Sequence, residues 1–366
     1  MTTRLLLVTD AVGGVWVYSL ELARALAPLG IEAVLAVTGP SPNAEEREAA
    51  SGIRLIDTGL PLEWLDTTPD DVNRAGRELA RLAAREDAAL VQTSSAALLA
   101  EGAFGCPCIA VQHSCVATWW AAVNDTPLPR QFEWRRDMVA RGLHRAAAVV
   151  APSIAFAAET ARTYDVPAVA VHNGRRPLPS PDIPRGDFVF TAGRLWDEGK
   201  NLTTLDSAAA RLDVPFQAAG AAKGPNGASV SLQRVEVLGQ LSKTRLAGLY
   251  AARPIYASAA LYEPFGLSVL EAAQASCALV LSDIATHREM WGGAAIFVPA
   301  RDAAAFAGAI RDLLDEPDER DQLGQLARTR ALHYSPERMA RGMTEIYARA
   351  LSAEASSSPM RMAGVA

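Results

Sequence analysis

The most informative part of the 366-residue chain is the stretch Tyr262-Glu263-Pro264-Phe265-Gly266-Leu267-Ser268-Val269-Leu270-Glu271-Ala272-Ala273. Gly266 permits a tight turn, and Ser268 is a suitable N-cap for a helix that carries Glu271 in its first turn. The free amide groups at the start of such a helix favour a bound anion. Glu263 comes before the turn and Glu271 after it, so we expect both carboxylates to face one cleft.

The sequence around this stretch repeats one pattern, a short apolar strand followed by a turn and a helix. Before a proline-rich linker at 175–184, we predict strands at 5–8, 33–37, 90–92, 109–112, 148–150 and 168–171, and helices at 15–29, 69–85, 128–145 and 153–164. After the linker, we predict a helix at 202–212 and strands at 188–192, 215–219, 235–238, 254–257, 279–282 and 295–297. Continuous apolar strands that alternate with helices indicate parallel sheets covered on both faces.

The linker separates two units of similar size, because its four prolines neither continue a helix nor donate to a sheet. We predict an α/β protein with doubly wound domains at 1–176 and 177–334, a final helix at 335–352 and a flexible tail at 353–366. Open α/β sheets bind ligands at the carboxyl ends of their strands. The cleft between the two domains is therefore the expected site.

Composition and charge exclude several functions. The chain is 50% hydrophobic and 21% charged, which is typical of a globular protein. Its net charge of −6 argues against a nucleic-acid partner, since phosphate binding needs a basic surface. Cys106, Cys108 and Cys115 lie near His113 in the sequence, but Cys-Pro-Cys is not the usual zinc spacing. We expect reduced thiols and no metal there.

Membrane insertion is not expected. No apolar stretch reaches the roughly 20 residues that a membrane-spanning helix needs, and the first residues are not typical of a signal peptide. We therefore expect a cytoplasmic protein. The predicted helix 128–145 carries five arginines against two acids, which fits either a solvated face or peripheral contact with the inner face of the membrane.

Two further motifs suit a bound diphosphate. Arg194 and Lys200 follow a predicted strand and lie six residues apart, an arrangement that places a guanidinium fork and an ammonium on one ligand. Gly13 and Gly14 follow the first strand and allow a close approach of backbone to ligand. The spacing is not G-x-G-x-x-G, and Gly39 ends the second strand without an acid nearby, which disfavours a dinucleotide dehydrogenase.

With these motifs the sequence resembles the retaining glycosyltransferases of family 4. That family has the GT-B fold, two Rossmann-like domains that face a deep cleft. The resemblance covers nearly the whole chain. It rests on Gly13-Gly14, His113, Asn173-Gly174, Gly193-Arg194-Leu195 with Lys200-Asn201, Val237-Leu238-Gly239, Leu249-Tyr250-Ala251 and the residues from Glu263 to Glu271.

The resemblance implies a role for each matching residue. Arg194 and Lys200 would bind the donor diphosphate, Glu271 the ribose hydroxyls, and Glu263 and His113 the transferred sugar. These implied catalytic residues are His113, Glu263, Arg194 and Lys200. The implied donor-binding residues also include Gly13, Gly14, Gly239, Leu241, Phe265, Gly266, Leu267 and Glu271.

The implied reaction transfers a hexose from a nucleotide-diphosphate-sugar to an acceptor hydroxyl of a saccharide or glycolipid. The acceptor would bind the first domain and the donor the second, with the final helix crossing back to the first domain. The chain has no D-x-D motif, so we expect no metal and no cofactor, with same-face substitution at the sugar. Carbohydrate biosynthesis is the expected setting.

The acceptor side is less defined. Trp119 and Trp120 could stack on a sugar acceptor, and the same sequence is equally consistent with two tryptophans that only pack in the core. The sequence also departs from the family at two points. Arg175 and Arg176 stand where the family has an apolar residue and an acid, and 285–289 lacks the usual glycine pair before Glu289.

Two alternatives remain open on the sequence alone. A nucleotide-sugar epimerase shares the fold but needs paired acids and bases around the sugar. A two-lobed sugar-binding protein is the non-enzymatic alternative, and it has no use for a diphosphate clamp. No side chain distinguishes UDP, GDP, ADP or TDP as the nucleotide.

Overall fold

Two parallel sheets, one after the other along the chain, form the framework of the molecule. The computed structural model describes residues 2–65 and 67–357. The first sheet contains β1 (Thr3–Asp10), β2 (Ile31–Thr38), β3 (Arg54–Asp57), β4 (Leu90–Thr93), β5 (Cys108–Val111), β6 (Ala148–Ala151) and β7 (Val169–Ala170). The second contains β8 (Val189–Ala192), β9 (Phe216–Ala219), β10 (Glu236–Gly239), β11 (Ile255–Ser258), β12 (Ala278–Ser282) and β13 (Ile296–Val298).

Both sheets are doubly wound. The strand order is β3-β2-β1-β4-β5-β6-β7 in the first sheet and β10-β9-β8-β11-β12-β13 in the second. Neighbouring strands pair in parallel, for example β1 with β2 and β8 with β9. The order reverses beside β1 and beside β8, so each sheet has its ligand-binding crevice at the carboxyl end of that strand. The predicted α/β fold class is confirmed.

Helices cover both faces of the sheets. In the first half they are α1 (Gly14–Leu26), α2 (Ala44–Ala49), α3 (Pro69–Arg85), α4 (Val116–Val123), α5 (Arg130–Arg145) and α6 (Ile154–Tyr164). In the second half they are α7 (Leu202–Ala209), α8 (Lys243–Ala251), α9 (Leu267–Gln274), α10 (Ala285–Trp291), α11 (Ala303–Asp315), α12 (Pro317–Ala331) and α13 (Pro336–Ser357).

Local sequence explains where several helices begin and end. Thr68 caps α3 by accepting from the Asp71 amide, and the Asp71 carboxylate accepts from the Thr68 amide in return. Helix α1 ends at Leu26 rather than at the predicted residue 29. The next turn, Ala27–Leu29, is a 3-10 helix, because Pro28 lacks the amide that an α-helix needs.

The last helix belongs to the core of the first domain. Met339, Met343 and Tyr347 are buried with residues of α1 and the first sheet, and the Tyr347 hydroxyl donates to the Gln92 side chain. The helix continues to Ser357, five residues beyond its predicted end at 352, and the flexibility of 353–357 stays a prediction. The remaining residues of that tail, 358–366, lie outside the described residues.

No helix in the described part of the chain is both long enough and apolar enough to span a membrane.

Candidate active site

The two predicted cations lie just beyond β8, at the crevice of the second sheet. The Lys200 ammonium pairs with the Glu263 carboxylate, and both side chains are largely buried. The Arg194 guanidinium lies 2.9 Å from Asp197 and 5.6 Å from the Trp196 ring, and 39% of its side chain is exposed. Arg194 is therefore held on one side and open to the cleft on the other.

The glycine loop of the first domain lies against these donor-side residues. A Cβ atom on Gly13 would come within 3.9 Å of Arg194 Cδ, and one on Gly14 within 3.3 Å of Leu267 Cδ1. Gly266 has a φ of +90°, which few residues other than glycine adopt, and it starts α9. The loop after β1 and the amino end of α9 thus face each other across a closed cleft.

Glu271 has a partner that the sequence motifs did not predict. Its Oε1 lies 2.6 Å from Arg175 Nε, and each side chain is only 9% exposed. Burial raises the pKa of Glu271, and Arg175 opposes that rise. The Arg175 carbonyl accepts a hydrogen bond of 2.8 Å from Gln274. Arg175 therefore ties the segment between the sheets to α9.

A cavity of about 330 Å³ lies between the two domains beside this pair. Leu241 and Gln240 line it from the loop after β10, and Trp16 lines it from α1. Gly239, at the end of β10, has a φ of +69° and accepts from the Gly220 amide at 2.8 Å. The volume of this cavity lies at the lower end of the range that is usual for small-molecule sites.

Phe265 is buried, and His113 is partly buried. The His113 ring packs edge-on to Tyr18, with the centroids 4.3 Å apart. Burial lowers the pKa of His113 to about 4, so the ring is neutral at physiological pH. Its Nε2 is buried, and no described residue gives it a hydrogen bond. Phe265 packs edge-on to Tyr334 in the second domain's core, so its side chain does not line the cleft.

The two tryptophans of α4 are not arranged as a pair of stacking platforms. Their ring planes are inclined by 61°, with the centroids 6.2 Å apart. The Trp119 indole N–H donates to Asp197 of the second domain at 2.9 Å. The Trp120 indole N–H donates to the Thr126 carbonyl of its own domain at 2.8 Å. Their acceptor-binding role stays a prediction.

Two acids of the first domain, the buried Asp10 and the partly buried Glu63, were not predicted as site residues. Asp10 ends β1, beside the glycine loop, and its Oδ1 accepts from the Val12 amide at 2.8 Å. Burial raises the pKa of Asp10 to about 7, the Glu63 carboxylate adds to the rise, and Arg194 acts against it. Burial also raises the pKa of Glu63. A carboxyl group that titrates near neutrality in a cleft is typical of a functional site.

Glu289 joins the two domains. Its carboxylate accepts from the amides of Ile154 and Ala155 at 2.9 and 2.7 Å, at the start of α6. His172 Nε2 lies 2.8 Å from the same carboxylate. Burial acts to raise the pKa of Glu289, but these hydrogen bonds outweigh burial and hold that pKa below its usual value. Residues 285–289 therefore lock the domains together, a long-range contact without a local sequence signal.

Within residues 2–65 and 67–357, no three His, Cys, Asp or Glu side chains gather in a way that could hold a metal ion. All four cysteines have free thiols.

The fold and the site define the class of protein. The structure of sucrose-phosphate synthase from Thermosynechococcus elongatus is similar with a TM-score of 0.78 and 20% identity, over 96% of this chain and 100% of that one. Anabaena Alr3699/HepE, solved in complex with UDP-glucose, is similar with a TM-score of 0.73 and 16% identity, over 94% and 99% of the two chains. The chain has the GT-B fold.

Family models define the class more narrowly. The model Glycosyltransferase Family 4 matches residues 12–176, and the model Glycosyl transferases group 1 matches residues 228–330. The chain belongs to the family 4 glycosyltransferases. Glycogen synthase of Mycobacterium tuberculosis is 35% identical over 101 residues, 27% of this chain. This match spans 24% of that curated relative's length.

Proposed function

We propose that this protein transfers a hexose from a nucleotide-diphosphate-sugar to an acceptor hydroxyl, without a metal and with retention of the anomeric configuration. The observation that carries the proposal is the position of Arg194, Lys200 and the amino end of α9 at the crevice of the second sheet. Anions bind at such helix ends, and the two cations add charge that suits a diphosphate.

This arrangement suits the chemistry of glycosyl transfer. The bond between the sugar C1 and the phosphate oxygen breaks, and the acceptor oxygen bonds to C1 on the same face. The acceptor proton passes to the departing phosphate oxygen. Arg194, Lys200 and the α9 amides are placed to stabilise the negative charge on that leaving group, commonly the largest contribution to catalysis. Glu263 and neutral His113 would hold the sugar hydroxyls.

The nucleoside would extend from the diphosphate toward the cavity between the domains. Glu271 would accept hydrogen bonds from the ribose hydroxyls, and the backbone at Gly239 and Leu241 would border the nucleobase. UDP-glucose is a natural first donor to test, since the similar HepE structure was solved with it.

The acceptor would bind the first domain, at the carboxyl ends of its strands. Asp10 and Glu63 would provide carboxyl groups there for acceptor hydroxyls. Trp119 and Trp120 of α4 would stack on an acceptor sugar. A lipid-linked acceptor would bring the membrane close. Arg130 and Arg141 of α5 are exposed and available for anionic lipid. Arg135 donates to the Glu63 and Leu65 carbonyls, and Arg145 donates to the Gly102 carbonyl.

Acceptor-dependent release of nucleoside diphosphate tests the proposal. The purified protein is incubated with UDP-, GDP-, ADP- and TDP-hexoses, with an acceptor panel and with EDTA or magnesium. We expect release from one donor class that requires an acceptor and is equal in EDTA. Lys200→Ala should abolish it, and Arg311→Ala, at an exposed arginine of α11, serves as the control.

Three results would contradict the proposal. Conversion of the donor without an acceptor indicates an epimerase, and sugar binding without turnover indicates a binding protein. An inverted anomeric product, assigned by proton NMR, would exclude the same-face mechanism and make Asp10 the candidate general base.

A further inference from the structure

Helix α4 of the first domain contacts two residues that neighbour the donor-site charges. The Thr118 hydroxyl lies 2.9 Å from the Tyr262 hydroxyl, and Tyr262 precedes Glu263 in the chain. The Trp119 indole N–H donates to Asp197, which lies between Arg194 and Lys200. Helix α4 of the first domain is therefore in direct contact with the segments of the second domain that carry the donor-site cations and Glu263.

The two carboxylate oxygens of Asp197 have different partners. Its Oδ1 accepts from the Trp119 indole and from the Gly199 amide, each at 2.9 Å. Its Oδ2 lies 2.9 Å from Arg194 Nη2. The Asp197 side chain is 8% exposed, so these partners take the place of water. One carboxylate thus connects the other domain to the cation that faces the cleft.

We infer that Asp197 is a positioning residue through which domain closure orients Arg194 for the donor diphosphate. The inference rests on the proposed function. A guanidinium has five N–H donors, so the bond to Asp197 leaves others free for phosphate oxygens. An arginine held in one rotamer binds its ligand with a smaller loss of conformational entropy than a free one. The hydrogen bond from Trp119 holds the carboxylate, and the carboxylate holds Arg194.

The Trp119 indole is closely packed against the backbone beside Asp197, so no other described side chain could take its place as the donor. A Cβ atom on Gly199 would come within 3.0 Å of Trp119 Nε1, so the indole lies directly on the backbone beside Asp197. Trp120, the next residue, is a matched control, because its indole donates within the first domain. A change at Trp120 removes the same chemical group without touching the second domain.

A double-mutant cycle on nucleoside diphosphate affinity tests the inference. UDP, GDP, ADP and TDP are titrated into the full-length wild type by calorimetry, and the tightest one is then used for every variant. Trp119→Phe keeps the packing and removes the N–H. We expect it to weaken the affinity about ten-fold, since a hydrogen bond to a charged group is lost. Trp120→Phe should change the affinity by less than about two-fold, because the Trp120 indole donates within the first domain and not to the donor-site segment.

The decisive comparison is made in the Arg194→Ala background. If Trp119 acts through Asp197 on Arg194, Trp119→Phe causes no further loss there, because the group that it positions is gone. Asp197→Asn should weaken binding in the wild type and likewise have no effect in Arg194→Ala. Circular dichroism melts of each variant confirm that folded protein is compared.

An equal loss from Trp119→Phe with and without Arg194 would overturn the inference, since it would show a general effect on the closed form. Unchanged affinity in Trp119→Phe would overturn it as well, while leaving the proposed function intact. Failure of the wild type to bind any of the four diphosphates contradicts the proposed function itself, and the inference falls with it.

Discussion

Arg175 Nε lies 2.6 Å from Glu271 Oε1, and both side chains are almost completely buried. The pair joins the segment between the two sheets to the helix that begins at Gly266. It also explains one departure from the family pattern. A buried carboxylate stays charged at low cost only beside a cation, and the chain supplies one at residue 175.

Removing Arg175 should destabilise the protein. Arg175→Leu leaves Glu271 buried without its partner, and we expect a loss of about 3 kcal/mol in the free energy of unfolding. Arg176→Leu is the control, because the Arg176 side chain is 53% exposed and lies 3.9 Å from Glu21. It should cost less than about 0.5 kcal/mol. Urea denaturation at pH 7 measures both, and equal losses would refute the account of the pair.

The deficit of Arg175→Leu should also depend on pH. Burial raises the pKa of Glu271 in the folded protein, and loss of Arg175 raises it further. A raised carboxyl pKa contributes stability below the unfolded value that is lost as pH rises through the folded value. The variant's deficit should therefore grow between pH 5 and pH 8. A deficit independent of pH would mean that lost packing, rather than an unpaired charge, causes the effect.

Lys200 should be essential for turnover. Lys200→Met keeps the length of the side chain but removes the charge that faces Glu263 and the leaving group. We expect kcat to fall by about 10² to 10³, the cost of removing one preorganised electrostatic group. Steady-state assays with saturating donor measure the change. A rise in donor KM with kcat unchanged would show that Lys200 binds the donor without assisting the reaction.

Asp10 should destabilise the protein at high pH. Its folded pKa is raised to about 7, so its carboxyl contributes stability at low pH that is lost as pH rises through 7. Asp10→Asn does not titrate, and its Oδ1 still accepts from the Val12 amide. The variant should gain up to about 4 kcal/mol relative to the wild type between pH 4 and pH 8. Urea melts across this range test it, and a constant difference would contradict the raised pKa.

Glu289 should stabilise the contact between the domains. In Glu289→Gln an NH₂ group replaces one of the two acceptor oxygens. One of the backbone N–H groups of Ile154 and Ala155, which each donate to a different oxygen, then loses its acceptor. We expect a loss of about 1 kcal/mol, as for other helix caps. The pKa of Glu289 is lowered, so its contribution is present above the unfolded value and lost as pH falls through the folded one. The gap to the wild type should narrow in acid, and a gap that widens would be the contrary result.

Much of the fold could be predicted because its signals are local. Long apolar runs mark β1 and β2, and the caps of α3 lie within three residues of its start. Strand β3 (Arg54–Asp57) was missed, since it is short, lies at the sheet edge and exposes both of its charged ends.

The site was predicted less completely, because its key contacts join residues far apart in sequence. Arg175 and Glu271 are 96 positions apart, and Trp119 and Asp197 are 78 apart. Nothing near Arg175 or Trp119 indicates the partner. The raised pKa of Asp10 depends on burial and on the Glu63 carboxylate, and only the assembled fold provides them.

The most direct test of the central claim is a thermal-shift comparison of wild type and Arg194→Ala with UDP, GDP, ADP and TDP, each with and without magnesium. A ligand that binds only the folded state raises Tm, by the equivalent of about 2.7 kcal/mol at a hundred-fold excess over Kd. We predict that one diphosphate raises the Tm of the wild type, that magnesium does not change the shift, and that Arg194→Ala loses it. No shift with any of the four would contradict a donor site at Arg194.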